Sequence, residues 1–423
     1  MTTRVAVIGG GVVGCTTAYW LAREGFAVSL LEREPELAAQ ASFANGGMLH
    51  ASHGEPWNSP QVIRQLMRWI GREDSPLLLR PRRLPRLVGW GLGFLRNSSG
   101  ARHRSAMLAN TRLALYSLRL MSEIAADAAL EFDAAQTGIA KIFWSPAQLD
   151  VAVRESDLLQ ELGVPYQRWT TETLLQHEPA LAPNEDRLAG ALYYPKDATG
   201  DAHLFTQRLA DHCRTLGVEI RTNTRVAALS HTHGRVLGVE TDQGPIAADA
   251  VVLASGPEAP ELLRPLGVRL PIEPVKGYSV TLDNHALDTP LRLPLIDDFH
   301  KVVATPLGSR LRVAGTAEFT GLDRSITPAR IQLLLRQLGI LLPQQRAPLA
   351  DLPRTEWACL RAMTPDGVPI IGRTPLENVW LNVGAGHMGW TFAAGMGRLL
   401  SDLIVGRKPA LTPDDYLLHR PTL

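Results

Sequence analysis

The sequence predicts an α/β chain, α+β overall, in which a parallel-sheet domain is interleaved with a second domain holding an antiparallel sheet and a helical insert. Three observations carry this. An apolar run near the N-terminus opens into a glycine turn and a helix; a second strand, glycine turn and helix return near the C-terminus; and residues 270–345 between them alternate in strand fashion. At 423 residues the chain exceeds the size at which one core stays single, so two domains are expected.

The first unit is Val5-Ala6-Val7-Ile8 followed by Gly9-Gly10-Gly11-Val12-Val13-Gly14 and a helical stretch to about Gly25. Gly9, Gly11 and Gly14 form G-x-G-x-x-G after a strand and before a helix, the dinucleotide-binding context of a Rossmann-like fold. Such a turn brings backbone N–H groups, Val12 and Val13 among them, against a pyrophosphate at a positive helix end. A second strand, Ala27 to Leu31, ends in Glu32 and Arg33, where a carboxylate takes the ribose hydroxyls and disfavours a 2′-phosphate. NAD and FAD share this half, so the motif alone leaves both open.

Ser42-Phe43-Ala44-Asn45-Gly46-Gly47-Met48 is too small and polar to pack alone and reads as a cofactor-facing loop, with Ser42, Asn45, Gly46, Gly47 and Met48 as contacts. Residues from about 60 to 195 are mostly helical in pattern, with Met107 to Ala128 and Ser145 to Leu162 as amphipathic helices in a separate layer. Leu204 to Leu216 reads as a helix, and Gly217 to Arg221 as a strand. A meander from Arg225 to Val239 then brings Val226 near the nucleotide, and the apolar strand Ala248 to Ala254 closes on Gly256. The expected division is 1–60, 196–265 and 352–423 for the cofactor, and 61–195 and 266–351 for the substrate.

Asn378 to Val383 is another strand, and Gly384-Ala385-Gly386-His387-Met388-Gly389-Trp390-Thr391 another glycine turn before a helix. A second helix N-terminus aimed at one ligand is hard to explain for NAD. FAD explains it, because the isoalloxazine lies far from the adenosine and gains negative charge on reduction. Gly386, His387, Met388, Gly389, Trp390 and Thr391 are therefore expected at the cofactor.

Formal net charge is +1, from 43 basic and 42 acidic residues, so nothing draws nucleic acid and a small molecule is the expected partner. Cys15, Cys213 and Cys359 lie far apart without metal or disulfide spacing, and no metal is expected. No apolar run is long enough to span a bilayer, and the glycine motif leaves no room for a leader, so a cytoplasmic protein is expected. The stretch Arg80-Pro81-Arg82-Arg83-Leu84-Pro85-Arg86, continuing through Trp90 to Phe94, is basic and aromatic; peripheral contact with the inner face of the membrane is weighed there against a buried helix.

With these motifs in order, the chain resembles the glycine-oxidase/D-amino-acid-oxidase superfamily of flavoproteins, and within it the bacterial D-amino-acid dehydrogenases (small subunit). The resemblance runs end to end. It rests on Val5 to Gly14, Ser42 to Gly47, Gly200-Asp201-Ala202-His203-Leu204-Phe205, Lys276-Gly277-Tyr278-Ser279, Met363-Thr364-Pro365-Asp366-Gly367 and Gly386 to Thr391. It implies noncovalent FAD, hydride transfer from Cα of a D-amino acid to flavin N5, and hydrolysis of the imino acid to a 2-oxo acid and ammonia. A quinone or an electron-transfer partner would receive the electrons. His50-Ala51-Ser52-His53-Gly54-Glu55 departs from the pattern of the close relatives in a segment expected to run past the flavin, so the relatives' substrate preference does not carry over.

The substrate carboxylate calls for a bidentate guanidinium, and Arg361, just ahead of Met363 to Gly367, stands where the family places one; pairing with Asp366 is the bland alternative. Tyr278 could assist through its hydroxyl, or be an ordinary strand tyrosine. His50 and His53 could favour the neutral amine or simply line the pocket. Two rival functions remain at this point: a flavoenzyme for a cyclic or secondary amine (D-proline, hydroxyproline, glycine or sarcosine), and a non-catalytic FAD-binding subunit.

Overall fold

The structure is a computed structural model and describes residues 2–60, 71–73 and 75–423. Two large sheets meet in it. The first has six strands, with Arg4–Ile8 at its centre between parallel Ala27–Leu31 and Ala250–Leu253. Glu219–Arg221 extends one side and Val379–Val383 the other, both parallel, and Ile370–Arg373 closes the edge antiparallel. Val5, Val7, Val251, Val252 and Leu253 are almost wholly buried, because helices or the meander cover both faces. The meander is the three-stranded sheet Val226–Thr232, Arg235–Thr241 and Gly244–Ala247.

The C-terminal helix Gly389–Val405 lies directly on the first helix, Val12–Arg23. Thr16 Oγ1 donates to the Ala393 carbonyl at 2.8 Å and Trp20 Nε1 to that of Ala394 at 3.2 Å. A Cβ at Gly397 would stand 3.0 Å from the Thr16 backbone, so glycine sets how closely the two helices approach. Both chain ends thus deliver a helix N-terminus to the same region.

The second sheet has nine strands, running in the order Arg354–Met363, Glu273–Asp283, Arg310–Phe319, Val302–Leu307, Leu295–Asp297, Ile139–Phe143, Gly190–Tyr194 and Gln167–Trp169, with Leu77–Leu79 added on Arg310–Phe319. It is mixed, since Leu295–Asp297 meets Ile139–Phe143 in parallel and Leu77–Leu79 meets Arg310–Phe319 in parallel. Helix Pro328–Leu341 covers one face through Ile331, Leu334, Leu335 and Leu338, which pack with Tyr278, Val280 and Val313.

Two expectations are corrected. The stretch from 60 to 195 holds the helices Gly100–Asp127 and Pro146–Glu161 as read, but also four strands that join the second sheet instead of forming a layer apart; residues 61–70 lie outside the described residues. Those strands have three to five residues, and Ile139–Phe143 is buried on both faces, so no alternation marks it. Within 270–345, residues Pro328–Leu341 are helical, with proline in the first turn and leucines at helical spacing. The strand Arg354–Met363, placed by sequence in the cofactor segments, hydrogen-bonds along its length to Glu273–Asp283.

Candidate active site

One cavity of about 1410 Å³ runs between the two sheets. That exceeds the usual 300–1,000 Å³ of a single-ligand pocket, so it has room for a large cofactor and a small substrate together. Its first wall is the N-terminal turn. Gly9 has φ +113°, and a Cβ there would meet the Ala254 carbonyl at 2.7 Å; a Cβ on Gly14 would fall 1.8 Å from the Gly9 carbonyl. Both glycines pack the turn onto its neighbours, and Gly14 does not reach the cavity. Gly11 differs: a Cβ there would have only Ser42 Oγ, at 3.4 Å, within 4 Å, so the turn at this position faces open space.

Helix Val12–Arg23 has no side-chain cap of its own, and Val12 N–H donates instead to Ser42 Oγ at 3.0 Å. Glu32 is buried, accepts from Gly10 N–H at 2.6 Å and Glu34 N–H at 2.9 Å, and borders the cavity. Burial raises its pKa while those two N–H groups oppose the rise. Arg33 is held by Glu258 at 2.7 Å on the same wall, with Val226 and Gly256 beside it. In the loop, Asn45 Oδ1 accepts from Gly47 N–H at 2.9 Å, and Met48–Leu49 pairs with Ala198–Thr199, which anchors Gly46 and Gly47 over the cavity.

The C-terminal turn forms the opposite wall. Gly386, His387, Gly389, Trp390 and Thr391 border the cavity, whereas Met388 is buried in the helical core and does not. Trp390 Nε1 donates to the Gly200 carbonyl at 3.2 Å, and Thr391 Oγ1 accepts from His50 N–H at 3.3 Å. His50 Nδ1, His387 Nε2, Ser255 Oγ and Thr316 Oγ1 are buried on the cavity wall without hydrogen-bond partners among the described residues, an arrangement suited to a polar ligand. The open face at Gly11, the Glu32 carboxylate and the two helix ends fit a dinucleotide with a distal ring.

Arg361 lies at the substrate end. Its guanidinium has no carboxylate within ion-pair distance among the described residues; it donates to the Thr316 carbonyl at 3.0 Å and lies 5.5 Å from the Trp57 ring centre. Asp366, the acid it was weighed against, is taken by Arg420 at 2.6 and 2.9 Å. Burial lowers the Arg361 pKa. A Cβ at Gly277 would sit 2.3–2.4 Å from the guanidinium, so glycine at 277 is what admits Arg361 to this place. The sequence singled out Tyr278 and passed over its neighbour.

The expectation for Tyr278 is corrected. Register pairs Val275 with Arg361 and Gly277 with Cys359, so these share a face, and Tyr278, paired with Ala358, points to the other. Its hydroxyl donates to Glu318 and meets Thr327 Oγ1 at 3.1 Å, and it packs under helix Pro328–Leu341. Although Tyr278 borders the cavity, its hydroxyl is turned from Arg361.

His50, His53 and His387 form one cluster, with ring centres 5.7 Å apart for the first pair and 6.0 Å for the second; Trp57 stacks on His387 at 5.5 Å. Burial, reinforced by the neighbouring imidazoles, lowers the pKa of His50 well below the ordinary value and that of His387 to about 3; burial also lowers His53. All three are neutral at neutral pH. Trp57 and Gly277 were missed by sequence because their role arises from contacts with Arg361, which lies far away in the chain.

Residues 4–403 match the family profile described as FAD dependent oxidoreductase. The chain belongs to the FAD-dependent oxidoreductase family. It is 42% identical over 423 residues to a D-amino acid dehydrogenase of Paramagnetospirillum magneticum, covering 99% of each chain. It is 41% identical to one of Methylobacterium radiotolerans, covering 98% of this chain and 99% of that one. Among solved structures, the L-proline dehydrogenase from P. horikoshii superposes with TM-score 0.78 at 20% identity, covering 99% and 97% of the two chains. Glycine oxidase from Geobacillus kaustophilus gives 0.75 at 24%, covering 99% of each; both likenesses show the fold. FAD is the cofactor of this family, and the residues on the cavity wall fit it. No helix among the described residues is long and apolar enough to cross a membrane.

Proposed function

We propose that the chain oxidatively deaminates D-amino acids to 2-oxo acids and ammonia, as the names of its relatives suggest, with Gly9, Gly11 and Glu32 on the ADP half of FAD and Gly14 packing the helix onto that turn. The observation that carries this is Arg361, a guanidinium without an acid partner among the described residues, in the same cavity as the glycine turn. FAD, held between the N-terminal glycine turn and the Gly386 to Thr391 turn, would supply the hydride acceptor for oxidation at Cα. Arg361 holds the α-carboxylate through a two-pronged, charge-assisted contact, and the Trp57 face, the Thr316 carbonyl and the space at Gly277 fix its direction. His387, neutral through burial and stacked on the Trp57 ring that also faces Arg361, presents a ring nitrogen that can accept a proton from the substrate ammonium, while His50 and His53 line the pocket beyond it. In this reading segments 1–60, 196–265 and 352–423 serve the cofactor, while 61–195 and 266–351 serve the substrate, with Arg354–Met363 bridging them through its pairing.

For the electron acceptor we propose a quinone or a partner at the membrane surface. Helix Leu84–Asn97 borders the cavity and exposes Leu84, Val88, Leu92 and Leu95 along one stripe. Anaerobic mixing of the yellow holoenzyme with single D-amino acids tests the main reading: a D-enantiomer bleaches the flavin and its L-enantiomer does not. Bleaching by sarcosine or proline alone would select the secondary-amine reading, and no bleaching by any of them the non-catalytic one.

A further inference from the structure

The cavity face of the nine-stranded sheet continues beyond Arg361 to a second polar cluster that the mechanism above does not use. Ser279, Ala314, Val303, Ile296 and Lys141 are successive cross-strand partners, and this row leads across the sheet to the far end of the cavity. There Lys141 Nζ lies 2.7 Å from Asp298, and Lys301 Nζ meets the same carboxylate at 3.3 Å. Asp298 is therefore matched twice.

Glu55, on the same cavity, has a different position. Among the described residues its one charge-bearing neighbour within ion-pair distance is His53 Nδ1 at 3.4 Å, and burial lowers the His53 pKa, so that partner is neutral at neutral pH. Arg361 and Glu55 thus both stand on the cavity wall without an oppositely charged partner within ion-pair distance among the described residues, and Lys141, held by Asp298, is a cation that Glu55 feels at longer range. Two buried ring nitrogens accompany Glu55: the Nδ1 atoms of His50 and His53 have no hydrogen-bond partners among the described residues, and His50 is only 8% exposed. An unpaired carboxylate beside two unfilled ring nitrogens suits a group that is both positively charged and rich in N–H donors.

The α-ammonium of the substrate is not that group, because it sits one carbon from the carboxylate that Arg361 binds. Contacts lead from Arg361 to Trp57, from Trp57 to His387, from His387 to His53 and from His53 to Glu55, and no ion pair joins Arg361 to Glu55 among the described residues. Glu55 is placed for an atom well along the side chain.

We propose that Glu55, with His50 and His53, binds a cationic side-chain group, so that the enzyme prefers D-amino acids with long basic side chains, such as D-lysine and D-arginine. This rests on the D-amino acid reading above.

D-Lysine and D-norleucine have the same carbon chain and differ in the terminal ammonium. With holoenzyme and an artificial dye acceptor, wild type is expected to favour D-lysine by at least about tenfold in kcat/KM, since a site built around hydrogen bonds discriminates more strongly than an apolar one. In Glu55→Gln that preference is expected to fall by about tenfold, chiefly through KM for D-lysine, with flavin absorbance retained. Wild type turning over D-norleucine as well as D-lysine, or a ratio unchanged in Glu55→Gln, overturns this proposal and leaves the D-amino acid reading standing. Turnover of neither overturns both.

Discussion

The six-stranded sheet meets the cavity with backbone, whereas the nine-stranded sheet meets it with side chains. In the first, Gly9, Gly11 and Gly14 sit within one turn and act by lacking a Cβ, so a contiguous motif specifies the contact. In the second, Arg361 depends on Gly277, Trp57 and Thr316, which come from three other segments. Cofactor retention should therefore respond to changes within one short stretch, and substrate handling to changes scattered through the chain.

The largest expected effect tests the backbone side. Gly11→Val adds a branched side chain where only Ser42 Oγ stands near, so the apo fold tolerates it while the space for the pyrophosphate is lost. Purified Gly11→Val should carry no flavin and still give a cooperative thermal transition. A yellow Gly11→Val protein would remove the first half of the comparison.

Next comes Arg361→Ala, which should keep FAD and lose turnover. Removing a buried charge-assisted partner costs about 2–5 kcal/mol, roughly thirty to several thousandfold in kcat/KM. Flavin content and kcat/KM measured on the same preparation separate the two sides. Near-normal turnover at low substrate would show that another cation holds the carboxylate.

Gly277→Ala should have a smaller effect of the same kind. The added methyl group would meet the mobile end of Arg361 at 2.3–2.4 Å, not backbone, so the guanidinium can shift and the fold survive. We expect about ten- to a hundredfold loss in kcat/KM, mainly in KM, because misplacing a positioning group by about 1 Å can cost a hundredfold. Unchanged KM with an unchanged thermal midpoint would dissociate Gly277 from the clamp.

The same contrast explains what could be read from sequence. Gly9 to Gly14, Glu32 and the Gly386 to Thr391 turn lie on local patterns whose physics needs no knowledge of the fold, and the terminal strands are apolar runs. Arg361 was legible through its distance to Met363-Thr364-Pro365-Asp366-Gly367. Tyr278 was misplaced because strand alternation relative to Arg361 depends on a register that pairs residues about eighty positions apart, and one step along the strand reverses the face. Lys141 was invisible for a related reason: its strand is short, uniformly buried, and joins the sheet beside Leu295–Asp297.

The smallest expected effect concerns a surface where both behaviours meet, helix Leu84–Asn97. One side holds it to the body: Leu87 is buried, Trp90 Nε1 donates to the Met363 carbonyl at 3.0 Å, and Trp90 stacks on Phe94 at 5.1 Å. The other side leaves Leu84, Val88, Leu92 and Leu95 exposed at 42%, 59%, 64% and 44%. Of the basic residues nearby, Arg80 and Arg83 are turned to Glu318 and Glu273, while Arg82, Arg86 and Arg96 stay exposed. The sequence pointed to Leu84, Leu87, Val88, Trp90, Leu92, Phe94 and Leu95 together as a lipid contact, but substituting Trp90 or Phe94 would disturb packing; Val88→Glu/Leu92→Glu changes the exposed stripe, which also borders the cavity. If the stripe rests on an anionic membrane surface, apolar burial and exposed arginines act together, and the double substitution should lower the liposome-bound fraction several-fold while the protein keeps its flavin. Equal sedimentation of wild type and variant with anionic liposomes would leave the stripe without a lipid role, and brisk turnover of wild type with oxygen alone would remove the need for one.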